Sequence, residues 1–370
     1  MPTKKRIDSI DFWRGLVLVC IFIDHIPGNI LENVTLRNIG FSDSAEAFVF
    51  LSGFSVVLAY ARRLQTEGAS AGSMPIFKRA FKIYCVHLLL TFLGIALVFV
   101  AFTIAQTHVV EPDLARHAVI HAPVQTLPGI FALTTQVGYF NILPMYVVLL
   151  LTAPVYILVG IKSRWKMLAG SIAIYAVARI FNINLPSWPV PGSWFFDPFC
   201  WQLMFAFGMA VGLTVRAEPI PYNRLVFWIC VMYSVSAALI NTSVFGWVPG
   251  LVDQAGQYLD WDKSTLGVAR IIDFLAHAYV VCQLPIARLL KPTLVYAPMT
   301  LLGRHSLFVF SALTLMSILG QILKVTWIDN AAFDIVFVLV GVVGLVWIVR
   351  RLEWQNLSPA PNSGPSPASR

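Results

Sequence analysis

Apolar stretches of about 20 residues recur along nearly the whole chain, and the short connections between them carry most of the basic residues. A helical run of that length matches the hydrocarbon thickness of a bilayer. In lipid a helix satisfies its backbone N–H and C=O groups internally, so a succession of such runs constrains the chain to a helical bundle. Composition agrees: 58% of the 370 residues are hydrophobic and 12% are charged, about half the charged share of a soluble domain. The expected fold is an all-α, polytopic membrane bundle embedded in the lipid bilayer. No internal repeat is evident. One membrane domain is expected over residues 1–352, followed by a disordered tail over 353–370, which is rich in Pro, Ser, Gly and Asn from Ser358 onward.

About ten spans are expected, starting near Phe12, Glu46, Ile83, Ile142, Met167, Phe199, Val226, Ile271, Leu301 and Phe333. Loop charge sets their orientation. With the N-terminus inside, the inner side holds Lys4, Lys5, Arg6, Arg14, Arg62, Arg63, Lys78, Arg79, Lys82, Lys162, Arg164, Lys166, Arg216, Arg224, Arg288, Lys291, Arg304, Arg350, Arg351 and Arg370. The outer side holds Arg37, Arg116, Arg179, Lys263, Arg270 and Lys324. Twenty against six favours both ends in the cytoplasm. The net charge of +8 therefore reads as orientation and not as nucleic-acid binding. The basic start, MPTKKR, resembles a signal peptide, but Asp24 and His25 interrupt the run behind it and no small-residue cleavage site follows. An uncleaved first span is expected. Cys20, Cys85, Cys200, Cys230 and Cys282 lie in or beside apolar runs without C-x-x-C spacing, and read as small buried residues.

Ionisable side chains within a span are costly and mark function by default. The first span, IDFWRGLVLVCIFIDHIP, contains Arg14 and His25. Their separation of eleven residues returns them to within about 20° of one helix face, with His25 about 16 Å further along the axis. One stripe thus offers an anion-binding cation near the inner end and a proton acceptor nearer the outer end. A snorkelling anchor at Arg14 and a helix-ending polar pair at Asp24–His25 are the structural alternatives. Glu46 or Asp24 is placed to orient His25 as a base, although an acid at a helix N-terminus is also favoured by the helix dipole. Ser52–Gly53 reads as a close helix contact; a catalytic Ser52 lacks the sharp strand-to-helix elbow of serine hydrolases.

In the third element, Lys78, Arg79 and Lys82 form an inner basic cluster, with Tyr84 and His87 just inside the membrane. The cluster suits a phosphorylated cytoplasmic ligand, and a positive-inside loop explains it equally well, His87 excepted. Two long outer connections run over 106–141 and 245–270. Trp188, Trp194 and Trp201, in and just beyond the connection 182–198, read either as interfacial anchors or as a stacking platform for sugar rings. His108, His117 and His121 lack ligand spacing, so no metal site is expected. No P-loop, H-E-x-x-H or G-x-S-x-G motif is present.

DFWRG followed by His25, with ten residues between Arg14 and His25, resembles the first-helix motif of the acyltransferase-3 superfamily, and FVFLSGF resembles its second-helix motif. SAEAFVFLSG, DPFCWQLMFAFG and LGRHSLFVF are similar to one branch, the OpgC family, with the likeness running from about Ile7 to about Val349. The resemblance implies a multi-pass inner-membrane transferase that succinylates osmoregulated periplasmic glucans, with succinyl-CoA as donor. It carries the catalytic histidine onto His25 and the paired arginine onto Arg14. Arg79 and Tyr84 approximate the basic third-helix motif, from which Lys82 and Ile83 depart. The resemblance also implies that acyl transfer is completed within the membrane domain.

Together these readings give a membrane O-acyltransferase that uses acyl-CoA as co-substrate, with no tightly bound cofactor. Arg79, Lys82, Tyr84 and His87 are the expected donor-binding set. His25, Arg14, Asp24 and Glu46 are the expected catalytic set. Asp197, Trp201 and Gln202 are expected, on motif position, to bind the extracytoplasmic glycan. The competing class is a proton-coupled transporter using the intramembrane Arg, His, Asp and Glu.

Overall fold

The computed structural model describes residues 8–105, 118–119, 122–215, 218, 220–241 and 258–357. Lys4, Lys5, Arg6, His108, Arg116, His117, His121 and Arg216 lie outside the described residues, as do residues 242–257 of the second long connection and the tail from Ser358.

The described chain is helical. In order it forms α1 (Asp8–Asp24), α2 (Ser44–Ala105), α3 (Pro123–Phe131), α4 (Ile142–Lys162), α5 (Arg164–Phe181), α6 (Pro198–Val215), α7 (Arg224–Asn241), α8 (Val268–Gln283), α9 (Ile286–Leu290), α10 (Tyr296–Arg304), α11 (Ser306–Thr326) and α12 (Ala331–Leu357). Three 3-10 turns, Ile30–Val34, Leu36–Asn38 and Gly138–Phe140, lie in the connections.

Among the described residues, six runs are long and apolar enough to cross a membrane: Ser44–Ala101, Gly138–Lys162, Pro198–Val215, Arg224–Asn241, Ser306–Thr326 and Ala331–Gln355. The expectation of about ten exceeds this number for physical reasons. α1 and α8 span 17 and 16 residues and are short for a bilayer. α5 carries Arg164, Lys166 and Arg179. α2 joins two expected spans into one run, broken at Gly68 by a non-helical φ of 82° and ψ of 172°. Beyond that break Gly72 meets the Cα of Leu64 and the carbonyl of Arg63, so the two limbs of α2 fold back on each other as a hairpin.

Two pairs of glycines bring helices into backbone contact. A Cβ on Gly15 would strike the carbonyl of Met299, and one on Gly303 would strike the carbonyl of Asp11. This locks α1 against α10. Gly53 and Gly208 do the same for α2 and α6, against the carbonyls of Phe205 and Phe50. Small residues that let backbones approach are the usual device of helix packing in lipid, where dispersion rather than water exclusion drives association. The Ser52–Gly53 reading as a packing contact agrees with this geometry. Phe12, Phe22, Trp201, Phe205 and Phe310 fill the interior. α7 buries only Ala237 among its residues and exposes Leu225, Trp228, Ile229 and Met232, the outward apolar face of a helix that meets lipid.

Candidate active site

Contact of α1 with α10 sets the place of Arg14, one residue before Gly15. Its guanidinium donates to the hydroxyl of Ser306 at 2.5 Å, at the first residue of α11. α1 continues unbroken to Asp24, so helix geometry carries the stripe about 16 Å from Arg14 to His25.

His25 leaves the helix with its N–H still bonded to the carbonyl of Ile21, 3.0 Å. Its ring lies flat on Tyr139, centroids 4.3 Å apart and planes 14° from parallel. Its carbonyl accepts from Gln321 Nε2 at 2.6 Å. Three residues further along α11, Lys324 Nζ donates to the carbonyl of Gly28 at 2.6 Å and to both oxygens of Asp334 at 2.9 and 3.0 Å. Asp334 in turn accepts from the N–H of Ile30 at 2.9 Å. The turn that presents His25 is therefore fastened to α11 and to the start of α12. Nδ1 of His25 is buried and makes no hydrogen bond within the described protein.

The orienting carboxylates expected from the sequence take other partners. Asp24 accepts from the hydroxyl of Thr35 at 2.6 Å. Glu46, fully buried, accepts from Arg270 Nε at 2.6 Å and from the N–H of Asp43 at 2.8 Å. Asp43 binds Arg270 at 3.0 Å and Lys263 at 2.5 Å. Arg270 is only 8% exposed, and its charge demands carboxylates to offset the lost hydration, which Glu46 and Asp43 supply. Nearby, Asp273 accepts from the N–H and hydroxyl of Ser42 at 2.9 and 2.6 Å. The network fastens α8 and the connection before it onto the start of α2. That connection is tightly turned: despite partial burial, hydrogen bonds from Thr265 and Ser264 hold the Asp262 carboxyl below its ordinary range.

The second limb of α2 separates the residues assigned to the donor. Arg79 turns inward to the phenols of Tyr60 and Tyr146. Lys82 is exposed. The Tyr84 hydroxyl donates to the carbonyl of Phe131 at 2.8 Å. His87 is fully buried, and neither ring nitrogen bonds another described residue. The four do not converge on one point.

The residues assigned to the glycan are interior. Asp197, 2% exposed, caps α6 by accepting from the N–H of Phe199 at 2.8 Å. Trp201 is fully buried, and its indole N–H donates to the carbonyls of Lys263 and Ser264 at 3.0 and 3.2 Å. Gln202 accepts from Tyr156 and Ser171 at 2.5 and 2.6 Å and donates to the carbonyls of Ser171 and Phe199. Their polar atoms tie α4, α5 and α6 together and hold the connection 258–267.

Sequence reasoning missed Tyr139, Arg270, Lys263, Gln321, Lys324 and Asp334. Arg270 and Lys324 were counted as outer-loop charges, yet each sits within an apolar stretch, VARIIDFLAHAY and SILGQILKVT. The cost of intramembrane charge was the available signal.

The fold and this site define a multi-pass membrane protein with an Arg–His helix in its interior. The family model described as OpgC protein matches residues 6–356, and the chain belongs to that family. It is accordingly a multi-pass inner-membrane acyltransferase that acts on a glucan, which sets the transporter reading aside. Comparison with curated proteins and with solved structures gave no match.

Proposed function

We propose that His25 is the general base of an O-acyl transfer from a cytoplasmic acyl-CoA, with succinyl-CoA as the expected donor, to a glucan hydroxyl. The imidazole takes the hydroxyl proton as the oxygen attacks the thioester carbonyl. The C–S bond then breaks, the ester forms, and the proton returns to the departing CoA thiolate. The observation that carries this reading is the His25 ring itself. It lies on Tyr139, the residue's backbone carbonyl is fastened to α11, and Nδ1 has no hydrogen-bond partner among the described residues. Arg14, at the other end of the same stripe, supplies the cation that meets the donor's phosphates, with Arg79 and Lys82 contributing to that inner field and Tyr84 and His87 lining the way inward. Glu46 and Asp24 act indirectly, by holding the elements around His25. Asp197, Trp201 and Gln202 act on the acceptor in the same indirect way, by holding the connections at the outer end.

The proposed topology has ten crossings within residues 1–352 and both ends cytoplasmic; residues 353–357, expected from the sequence to belong to the tail, continue α12 as helix. The hairpin of α2 and the three further helices α1, α5 and α8 support it. So does the pairing of the outer basic residues Arg179, Lys263, Arg270 and Lys324 with acids. Purified protein in detergent, incubated with candidate acyl-CoAs and unmodified glucan, tests the reading. Mass spectrometry of the glucan should report one acyl mass added per transfer. Free CoA released without any acyl mass on the glucan would sink it.

A further inference from the structure

We infer that a cleft at the His25 end of the bundle, with Trp188 and Phe195 in its lining, holds a glucosyl residue of the acceptor. The cleft is about 200 Å³. Its polar lining includes Gln136, Asn141, Ser187 and Ser193. Gln136 and Asn141 bracket the 3-10 turn Gly138–Phe140, whose Tyr139 carries the His25 ring at 4.3 Å. The cleft is therefore bordered by residues on both sides of the turn on which the proposed base rests.

Its two aromatics are exposed yet fixed. Trp188 is 56% exposed. Its indole N–H donates to the carbonyl of Gln125 at 3.1 Å and its backbone N–H to the carbonyl of Thr134 at 3.1 Å. Thr135 also donates to the Trp188 carbonyl, and a Cβ on Gly129 would strike Thr135, so glycine there lets α3 sit against this loop. Phe195 is 48% exposed and stands edge-on to Phe196, which stands edge-on to the buried Trp201. A rigid aromatic face beside hydroxyl and amide groups is the chemistry that recognises a pyranose. Its C–H face stacks, its hydroxyls take the side-chain hydrogen bonds, and a pre-fixed ring spends little entropy on binding. A lipid-facing anchor needs the indole but not the bracket of Gln136, Asn141, Ser187 and Ser193 around it.

The inference rests on the acyl-transfer reading for its reaction, but its test does not. Unmodified gluco-oligosaccharides of graded size are titrated, without donor, onto the purified full chain and onto its His25→Ala variant. Both should bind alike. Trp188→Ala and Phe195→Ala should each weaken binding on the order of tenfold. In turnover they should raise the acceptor KM, with donor KM and kcat held, and Trp188→Phe should keep most of the affinity. Phe195→Ala carries the test if Trp188→Ala does not accumulate, because its side chain makes no hydrogen bond. Unchanged oligosaccharide binding in Phe195→Ala, or in Trp188→Ala with lowered membrane yield, overturns the inference and leaves an interfacial anchor only. Normal transfer by His25→Ala overturns the base assignment instead, and leaves the titration standing.

Discussion

The imidazole of His25 lies parallel to the phenol of Tyr139 at 4.3 Å, although 114 residues separate them in the chain. The stack fixes the plane of the ring, so whatever proton the imidazole takes must approach in that plane. Removing His25 should therefore cost more than removing any group that merely orients it. His25→Ala is expected to lose about 10² to 10⁴-fold in transfer, the usual worth of a positioned general base. Protein abundance in the membrane should be unchanged. Tyr139→Phe keeps the stacked face and should transfer nearly normally, whereas Tyr139→Ala should lower kcat by about tenfold. Acylated glucan measured at matched protein level decides it. Near-normal transfer by His25→Ala would refute the assignment.

Arg14 should report on the donor alone. Its guanidinium is held by Ser306 at the far end of the stripe from His25. Arg14→Ala should raise the acyl-CoA KM on the order of tenfold or more, as expected for loss of a charge-assisted hydrogen bond to phosphate. The acceptor KM should stay in place. Arg14→Lys should recover part of the loss, because lysine keeps the charge without the planar fork. Steady-state kinetics with donor and acceptor varied separately make the check. A raised acceptor KM with the donor KM unchanged would contradict the role.

The Arg270–Glu46–Asp43 network should behave as a buried ionic unit. Arg270→Met strands the fully buried Glu46 and is expected to cost about 3 to 5 kcal/mol. Arg270→Met combined with Glu46→Gln should recover much of it, because no charge is then left uncompensated. Thermal unfolding of the four proteins of this cycle in detergent gives the coupling directly. Additive effects would mean that the pair does not share its energy in the membrane protein.

Helix periodicity made α1 legible: the angle between Arg14 and His25 follows from 3.6 residues per turn, and the helix runs unbroken between them. The same local rules said nothing of Tyr139 or Gln321, because contacts between distant elements leave no periodic trace. Glu46 shows the limit in another form. Its position at the start of α2 was readable, but its partner was decided by Arg270, which reaches it from 224 residues away. Gln202 and Trp201 were found as motif residues, yet a motif records that a side chain matters and not whether it meets a ligand or a neighbouring helix. The two limbs of α2 were legible as separate spans starting near Glu46 and Ile83, although the helix runs on from Ser44 to Ala105 with its break at Gly68.

Sidedness can be read by labelling single cysteines in a cysteine-free background. Gln125→Cys, on an exposed residue of α3, should react with an impermeant reagent from the periplasm. Ser70→Cys, exposed at the α2 hairpin, should react only from the cytoplasm. The expectation follows from the charge asymmetry and from Arg62, Arg63, Lys78 and Lys82 beside that hairpin. Labelling of Ser70→Cys from the periplasm would invert the proposed topology.

Lys324 offers the sharpest separation between holding the fold and placing the base. Its ammonium binds Asp334, Asp329 and the carbonyl of Gly28, three residues after His25. Lys324→Met removes that clamp and strands Asp334, which is 2% exposed. It should therefore lower both stability and kcat. A second substitution, Asp334→Leu, removes the stranded carboxylate and should restore much of the stability, since an apolar pair often replaces a buried ion pair without loss. It does not restore the bond to Gly28, and it also removes the acceptor of the Ile30 N–H, a second fastening of the same turn. The doubly substituted protein should then unfold near the wild-type temperature but transfer on the order of tenfold more slowly, about 1.4 kcal/mol of barrier. Donor and acceptor KM should be unchanged, because neither ligand meets this clamp. If kcat recovers together with stability, Lys324 serves the fold alone and the position of His25 is set by Tyr139 and Gln321 without it.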